Sequence, residues 1–266
     1  EGVTRRVKIV EPPELFAFMS ILQERVPVVL RGAASHWPAV TKWADLSYIR
    51  KICGHRSVPV ELGNSYLDDT WSQKILTVNE FVDKYLKRTP PSQPKGAGGE
   101  DAKGGGIDRE IGYLAQHTLF DQIPGLARDI VIPDYCALGE DDDAEVRINA
   151  WFGPGGTVSP LHFDPEHNLL AQVVGRKVIR LFSPQDTKFL YPSTASMLSN
   201  TSLVDVEAPS NEKFPLFAKA QQMIAELNSG DMLYIPPGYW HHVRALTGSF
   251  SVSFWFGGKL APQLIE

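Results

Sequence analysis

The second half of the chain is a series of short apolar segments separated by glycine and proline, and this pattern limits the possible folds more than any other feature. The segments read RINAWFG, NLLAQVVGRKVIRLFSP, DMLYIPP and FSVSFWFGG. Short strands with frequent turn residues are typical of antiparallel sandwiches and barrels, whereas a parallel α/β sheet needs helices between its strands. We therefore predict a mainly β fold. Gly175 and Arg176 lie between two apolar runs, which predicts a hairpin at that point.

The first part of the chain mixes helix and strand patterns. PPELFAFMSILQERV and SYIRKICGH carry apolar residues at helical spacing, VPVVLRG and SVPVELG are typical of short strands, and TVNEFVDKYLKR predicts a capped helix that begins near Thr77. Residues 89–110 are rich in glycine and proline and hold too little apolar surface to offset the entropy of ordering them. We predict an α+β flank at residues 1–88 packed on the barrel, a flexible loop at residues 89–110, and the barrel itself at residues 111–266.

Charge and cysteine content argue against several classes of protein. The net charge of -5 at pH 7 provides no broad electropositive surface for a nucleic acid and weakly favours a basic partner. Two cysteines cannot build a cysteine-rich zinc module or a dense disulfide framework, which favours a reducing intracellular compartment. No apolar run reaches the roughly 20 residues that cross a bilayer. We expect a soluble protein that binds neither nucleic acid nor membrane directly, and the sequence leaves its oligomeric state open.

Two separated motifs together predict a metal site. The segment SPLHFD places His162 and Asp164 two residues apart, hence on one side of an extended strand. With seven histidines and 31 acidic residues in the chain, such a pair alone is weak support. In YIPPGYWHHVRAL a strand and a Pro-Gly turn precede His241 and His242, only one of which can face inward on the next strand. Two imidazoles and one carboxylate form a facial triad that leaves three coordination positions open on iron(II).

Three segments, SPLHFDPEHNLLAQVVGRKVIRLFSP, IPPGYWHHVRAL and FSVSFWFG, together resemble the JmjC family, and in particular its small JmjC-only branch of protein hydroxylases and reported histone demethylases. The resemblance runs from about residue 28 to residue 257. It implies a double-stranded β-helix, a cupin-like jelly roll with flanking helices, that holds iron(II) at its open mouth. In the family pattern the histidine directly after Tyr-Trp is a ligand. The resemblance therefore implies that His162, Asp164 and His241 form the catalytic metal site.

The resemblance also implies 2-oxoglutarate as a co-substrate. Lys177 matches the residue that pairs with its distal carboxylate, and Tyr113, Ser159 and Asn168 match polar groups that hold the same molecule. Considered without the family, a lysine beside a turn is more often exposed. Tyr113 and Asn168 could equally satisfy backbone groups of the barrel.

The substrate residues implied by the resemblance are Glu61, Tyr66, Trp151 and Trp255. Glu61 would pair with a cation and the tryptophan faces would stack on it, so a basic side chain of a protein or peptide is the predicted substrate. The two tryptophans also lie in apolar strand patterns and could be plain core. Two outcomes stay open: removal of a methyl group from a lysine, as at lysine 36 of histone H3, or stable hydroxylation of an arginine or lysine.

The branch is associated with chromatin and circadian regulation, which implies a nuclear location, with the cytoplasm as a second one. Two other classes of function stay open. A catalytically silent, cupin-like binding scaffold would lack part of the triad or the co-substrate lysine. Metal-dependent hydrolysis would need a general base beside a metal-bound water, for which Glu166 is the candidate, although its spacing does not favour that role.

Overall fold

The computed structural model describes residues 5–63, 71–87, 110–139, 145–195 and 198–257. The predicted substrate residue Tyr66 and the predicted loop, except Glu110, lie outside these ranges. The described strands are β1 (Arg5–Arg6), β2 (Lys8–Val10), β3 (Val28–Leu30), β4 (Ser57–Leu62), β5 (Ser72–Thr77), β6 (Gly112–His117), β7 (Arg147–Gly153), β8 (Val158–His162), β9 (His167–Val174), β10 (Lys177–Phe182), β11 (Met223–Leu227), β12 (Met232–Ile235), β13 (Trp240–Ala245) and β14 (Ser249–Phe256). The described α-helices are α1 (Leu15–Glu24), α2 (Pro38–Lys42), α3 (Leu46–Cys53), α4 (Val78–Phe81), α5 (Leu119–Gln122) and α6 (Pro124–Ala127). A π-helical turn follows α4 at Val82–Leu86, and 3-10 turns lie at Asp134–Leu138, Pro184–Phe189 and Phe217–Lys219.

The strands form two sheets that face each other. One has the order β1-β11-β10-β13-β8, and the other has the order β2-β3-β12-β9-β14-β7-β6-β4-β5. A buried apolar cluster joins them, with Leu170 and Leu233 from the larger sheet and Ile179, Leu181 and Val243 from the smaller one. Facing, mainly antiparallel sheets between which the chain crosses are the architecture of a jelly roll. The predicted double-stranded β-helix is therefore confirmed.

Strands from both parts of the chain share the larger sheet. β3 pairs with β12, with Leu30 opposite Met232, and β4 pairs with β6, with Glu61 opposite Tyr113. The segments VPVVL and SVPVEL, predicted as strands, thus belong to the same sheet as β9 and β14. The boundaries of the flank at residues 1–88 and of the barrel at residues 111–266 stay predictions.

The predicted hairpin at Gly175 and Arg176 is wrong. The chain does turn there, and Gly175 has a φ of 79°, a left-handed conformation that favours glycine. However, β9 pairs with β12 and β14 in the larger sheet, whereas β10 pairs with β11 and β13 in the smaller one. A turn residue signals a change of direction but not the sheet that the next strand joins. The crossing places Lys177, the first residue of β10, on the opposite wall of the barrel.

Helices from the first part of the chain cover the outer face of the larger sheet. α3 follows Asp45, whose carboxylate accepts the Ser47 backbone N–H, and α4 follows Thr77, which shares a reciprocal capping box with Glu80. The predicted helix start near Thr77 is therefore confirmed. The core under these helices includes Phe18, Trp37, Trp43, Ile49, Phe81, Leu169, Ala171, Val252 and Phe254. Among the described helices, none is long and apolar enough to span a membrane.

Candidate functional site

β14 shows how strand periodicity separates the core from the interior of the barrel. Phe250 and Phe254 pack in the core beneath the helices, whereas Ser253 and Trp255 line a pocket between the two sheets. Successive side chains of a strand point to opposite faces, so the alternation in FSVSFWF produces both surfaces at once. The interior of the barrel is consequently polar at this end.

Three potential metal ligands meet in that pocket. His162 ends β8, Asp164 follows two residues later, and His241 lies on β13 directly opposite His162 in the paired strands. Nε2 of His241 is 3.7 Å from Oδ2 of Asp164, and the two imidazole centroids are 4.2 Å apart. One ligand atom from each residue lies within 4.8 Å of the others. The structure therefore brings together the residues that the sequence predicts as a metal site.

Backbone contacts orient both imidazoles towards that point. Nδ1 of His162 is 2.7 Å from the carbonyl oxygen of Pro160, and Nδ1 of His241 is 3.0 Å from that of Tyr239. A carbonyl oxygen only accepts hydrogen bonds, so each Nδ1 carries the proton and each Nε2 keeps a lone pair for a metal. A register shift between β13 and β8 turns Ser159 inward together with His162.

The two adjacent histidines of β13 face opposite sides of the sheet. His241 lines the pocket, whereas His242 is buried on the other side, beside Glu207. The alternation of strand residues allows only this division, as the sequence predicts. Burial, reinforced by the nearby His162, lowers the pKa of His241 to about 4, so its imidazole is neutral at pH 7 and able to bind a metal.

Asp164 supplies the negative charge of the cluster. Burial alone would raise the pKa of its carboxyl group, but His162, His241 and the indole N–H of Trp255 together hold that pKa below its usual value. Nε1 of Trp255 donates to Oδ2 of Asp164 at 3.0 Å. A carboxylate beside two imidazoles is a donor set that suits a divalent transition metal such as iron(II).

Lys177 is a buried cation in the same pocket. Lys177 is only 2% exposed, so the alternative of an exposed lysine beside a turn is wrong. The turn leads the chain into the barrel, where Lys177 lines the pocket. Nζ is 3.3 Å from the hydroxyl of Tyr113, and no carboxylate of the described residues pairs with it. Burial lowers the pKa of Lys177 to about 7. A buried ammonium that lacks an anionic partner among the described residues fits an anionic ligand.

The other residues predicted for 2-oxoglutarate lie around Lys177. Tyr113, Ser159 and Asn168 all line the pocket of the metal cluster, and Tyr113 forms a hydrogen bond with Ser159. Burial raises the pKa of Tyr113, which keeps its hydroxyl protonated and able to donate. The side-chain oxygen of Asn168 is buried without a hydrogen-bond partner among the described residues. Unpaired buried polar groups usually mark the place of a ligand or water, so a polar co-substrate fits here.

Aromatic side chains form the wall next to the metal cluster. The rings of Trp151 and Trp255 are 6.2 Å apart, and Tyr113 lies 6.1 Å from Trp151. Nε1 of Trp151 donates to the hydroxyl of Ser253. Both tryptophans line the pocket, although Trp255 is almost fully buried. Trp151 and Trp255 can therefore contribute to the packed interior and form the pocket wall at the same time.

Glu61 lies near this wall but is not a lining residue of the pocket. It stands opposite Tyr113 where β4 pairs with β6, and burial raises the pKa of its carboxyl group. Trp71 forms a hydrogen bond with Glu61 and is partly exposed. The sequence did not predict a role for Trp71, because only the pairing of β4 with β5, which sets Gln73 opposite Glu61, brings this tryptophan close.

Glu166 is engaged elsewhere. Its carboxylate pairs with Arg147, and it is outside the cluster of potential metal ligands. A general base for hydrolysis would have to reach a water molecule bound at the metal. The contacts of Glu166 thus give no support to metal-dependent hydrolysis.

Comparisons with known proteins agree with this geometry. A family model described as a cupin-like domain matches residues 13–260. The chain is 50% identical over 256 residues to lysine-specific demethylase 8 of Danio rerio, an alignment that covers 95% of this chain and 59% of that protein. It is 46% identical over 231 residues to Jumonji C domain-containing protein 5 of Drosophila melanogaster, with coverages of 86% and 54%.

A plant protein is similarly related. Lysine-specific demethylase JMJ30 of Arabidopsis thaliana is 46% identical over 233 residues, which is 88% of this chain and 50% of that protein. The chain thus spans between half and three fifths of the length of these three relatives.

Proposed function

Because the chain belongs to the JmjC family of cupin-like domains, we propose that it is an iron(II)- and 2-oxoglutarate-dependent oxygenase that acts on a basic side chain of a protein. One observation carries the proposal: the cluster of His162, Asp164 and His241 shares a pocket with a buried lysine that has no carboxylate partner among the described residues. A catalytically silent scaffold would need neither a complete ligand set nor a buried cation, whose desolvation is costly.

The residues of the pocket divide into two groups by what they would hold. His162, Asp164 and His241 would hold the iron, and Lys177 would pair with a carboxylate of 2-oxoglutarate. When bound, iron and 2-oxoglutarate would together use dioxygen as the oxidant: one of its oxygen atoms enters a substrate C–H bond, and the other enters succinate as 2-oxoglutarate loses carbon dioxide. The protein's own part would be to orient these groups in the pocket between the two sheets and to limit the access of water to them.

A cationic substrate side chain fits the aromatic wall. Trp151 and Trp255 offer ring faces near the metal cluster, and Glu61, opposite Tyr113 in the paired strands, offers a carboxylate. Tyr66 stays a proposed fourth contact. If the oxidised carbon is an N-methyl group of lysine, the hydroxylated product loses formaldehyde and the lysine is demethylated. If it is a side-chain carbon of arginine or lysine, the hydroxyl group stays. Both outcomes belong to the proposal.

The names of two relatives favour a lysine substrate, because both are lysine-specific demethylases. A histone tail, including methylated lysine 36 of histone H3, is therefore a substrate to test first. With such a substrate the protein would act at chromatin in the nucleus. A role in circadian regulation and a second location in the cytoplasm are further proposals.

The test is to incubate the protein with iron(II), 2-oxoglutarate and a panel of peptides that carry methylated lysine, unmodified lysine or arginine. A peptide that gains one oxygen indicates hydroxylation, and loss of a methyl group with release of formaldehyde indicates demethylation. Succinate should form in step with either product. Absence of succinate with every peptide, from protein that binds metal normally, would contradict the proposed oxygenase.

Replacing Glu61 by glutamine is expected to raise the KM for a cationic peptide by about tenfold to a hundredfold, because a charge-assisted hydrogen bond contributes roughly 1.5–3 kcal/mol. The amide keeps the shape of the side chain, and Glu61 is not a lining residue of the metal pocket. The KM for 2-oxoglutarate should change less than the peptide KM, because Lys177 and not Glu61 would pair with its carboxylate. Measuring both constants from succinate formation checks the prediction; equal changes in the two would show that Glu61 supports the pocket in general.

Binding of 2-oxoglutarate is expected to weaken as the pH rises above 7. Burial lowers the pKa of Lys177 to about 7, so the ammonium of the free protein loses its proton above that pH, while a bound dicarboxylate requires it. The apparent affinity should fall by about tenfold per pH unit until the raised pKa of the complex is passed. Calorimetric titration across this range measures the slope. The variant Lys177→Arg keeps its charge at every such pH and should show no slope.

A further inference from the structure

Behind the metal cluster, four side chains form a continuous line of contacts. Nε1 of Trp255 donates to Oδ2 of Asp164 at 3.0 Å. The guanidinium carbon of Arg147 lies 5.4 Å from the ring centroid of Trp255, within the range of a cation-π contact. The same guanidinium donates to the carboxylate of Glu166. A charge at the surface is thus linked through an indole ring to a potential metal ligand.

Strand pairing accounts for this arrangement. Trp255 of β14 stands opposite Arg147 of β7 and opposite Asn168 of β9, so neighbours on both sides determine its place in the sheet. The side chain of Arg147 is 54% exposed, whereas that of Glu166 is 11% exposed. The ion pair with Glu166 therefore restrains the guanidinium of Arg147, which is otherwise largely exposed. Arg147 in turn packs against the indole of Trp255.

We propose that Arg147 and Trp255 are positioning residues for the metal ligand Asp164: Glu166 fixes Arg147, Arg147 fixes the plane of the Trp255 indole, and the indole N–H fixes the carboxylate. This inference rests on the metal site of the proposed function. A carboxylate that is already oriented gives up less rotational freedom when it binds a metal. Replacing a residue that forms a hydrogen bond with a metal ligand typically lowers metal affinity or activity by about 10–100-fold.

This role differs from substrate stacking and can be separated from it. Phenylalanine at position 255 keeps an aromatic face for a cation but has no N–H for Asp164. If Trp255 served only as a wall of the substrate pocket, Trp255→Phe would change the KM of a peptide and leave metal binding alone. The positioning role predicts weaker metal binding in Trp255→Phe, in addition to any change in the peptide KM.

The experiment measures the dissociation constant for Mn(II), a redox-stable probe, from the EPR signal of the free ion. Trp255→Phe is expected to weaken Mn(II) binding about tenfold or more. Arg147→Ala should weaken it in the same direction. The double variant should bind Mn(II) no more weakly than Trp255→Phe alone, because the orienting effect of Arg147 passes through the indole. The charge of Arg147 also acts directly on Asp164, but a positive charge opposes a bound cation, so its loss adds nothing to the weakening. Arg147 is largely exposed, so its replacement keeps the proposal testable even if the Trp255 variant does not fold.

Two matched controls separate positioning from general stability. Nε1 of Trp43 donates to Oδ2 of the buried Asp129 at 3.1 Å, the same type of bond outside the metal pocket, so Trp43→Phe should not alter Mn(II) binding. Arg176 resembles Arg147 in exposure and pairs with Glu226, so Arg176→Ala is the second control.

The outcomes distinguish the proposals. Mn(II) binding at the wild-type level in Arg147→Ala, or additive losses in the double variant, would overturn the positioning role. Wild-type protein that binds Mn(II) but never consumes 2-oxoglutarate would contradict the proposed oxygenase. The Mn(II) dissociation constants of the variants would still decide the positioning role. Wild-type protein that binds no Mn(II) would overturn both.

Discussion

Replacing His241 by alanine is expected to abolish turnover and to weaken metal binding by more than about 100-fold, because loss of a ligand should exceed the 10–100-fold effect of losing a ligand's hydrogen-bond partner. Replacing the adjacent His242 by alanine should leave metal affinity near the wild-type value. His241 faces the cluster with His162 and Asp164, whereas His242 lies beside Glu207 on the other side of β13. The two variants thus change neighbouring residues whose side chains lie on opposite faces of the same sheet.

Mn(II) titration and succinate formation measure this contrast. Both variants remove one buried imidazole, so each acts as the control of the other for loss of packing. Thermal unfolding in the presence and absence of Mn(II) adds a check that does not depend on turnover: the metal should stabilise His242→Ala but not His241→Ala. Stabilisation of both variants alike, or of His241→Ala only, would show that the ligand set is assigned incorrectly.

The metal cluster could be predicted from the sequence because it depends on local periodicity. His162 ends β8 and Asp164 lies two positions beyond it, so an extended chain at this point brings both side chains to one side. The same rule requires that only one of the two adjacent histidines faces inward. The resemblance to a family selected His241, and the pairing of His241 with His162 in neighbouring strands agrees with that choice.

Contacts that depend on sheet pairing could not be predicted in this way. The turn at Gly175 is visible in the sequence, but its path from one sheet to the other is not, since the partners of β9 and β10 are distant along the chain. For the same reason the burial of Lys177 follows from the crossing and not from its sequence neighbours. Trp71 and Arg147 were missed because their partners, Glu61 and Trp255, come from other strands.

Replacing Lys177 by methionine is expected to abolish binding of 2-oxoglutarate and, at the same time, to make the protein more stable. Methionine fills a similar volume without a charge, and no carboxylate of the described residues compensates the buried ammonium. The lowering of the pKa of Lys177 from 10.5 to about 7 corresponds to a cost on the order of 4 kcal/mol in the free energy of unfolding at neutral pH. Lys177 would thus lower the stability of the protein while serving its function.

The stability gained by Lys177→Met should depend on pH, because the pKa of Lys177 is lower in the folded protein than in the unfolded chain. The unfolded chain keeps the lysine proton up to about pH 10.5, whereas the folded protein releases it near pH 7, so between these values the unfolded state binds more protons and wild-type stability rises with pH. The gain from Lys177→Met should be largest at pH 7 and below and should vanish above pH 10.5. Chemical unfolding of both proteins at several pH values measures the difference, with Lys188→Met, a surface lysine, as the control. A variant that is less stable than wild type at pH 7 would mean that the ammonium is satisfied within the fold and needs no anionic co-substrate.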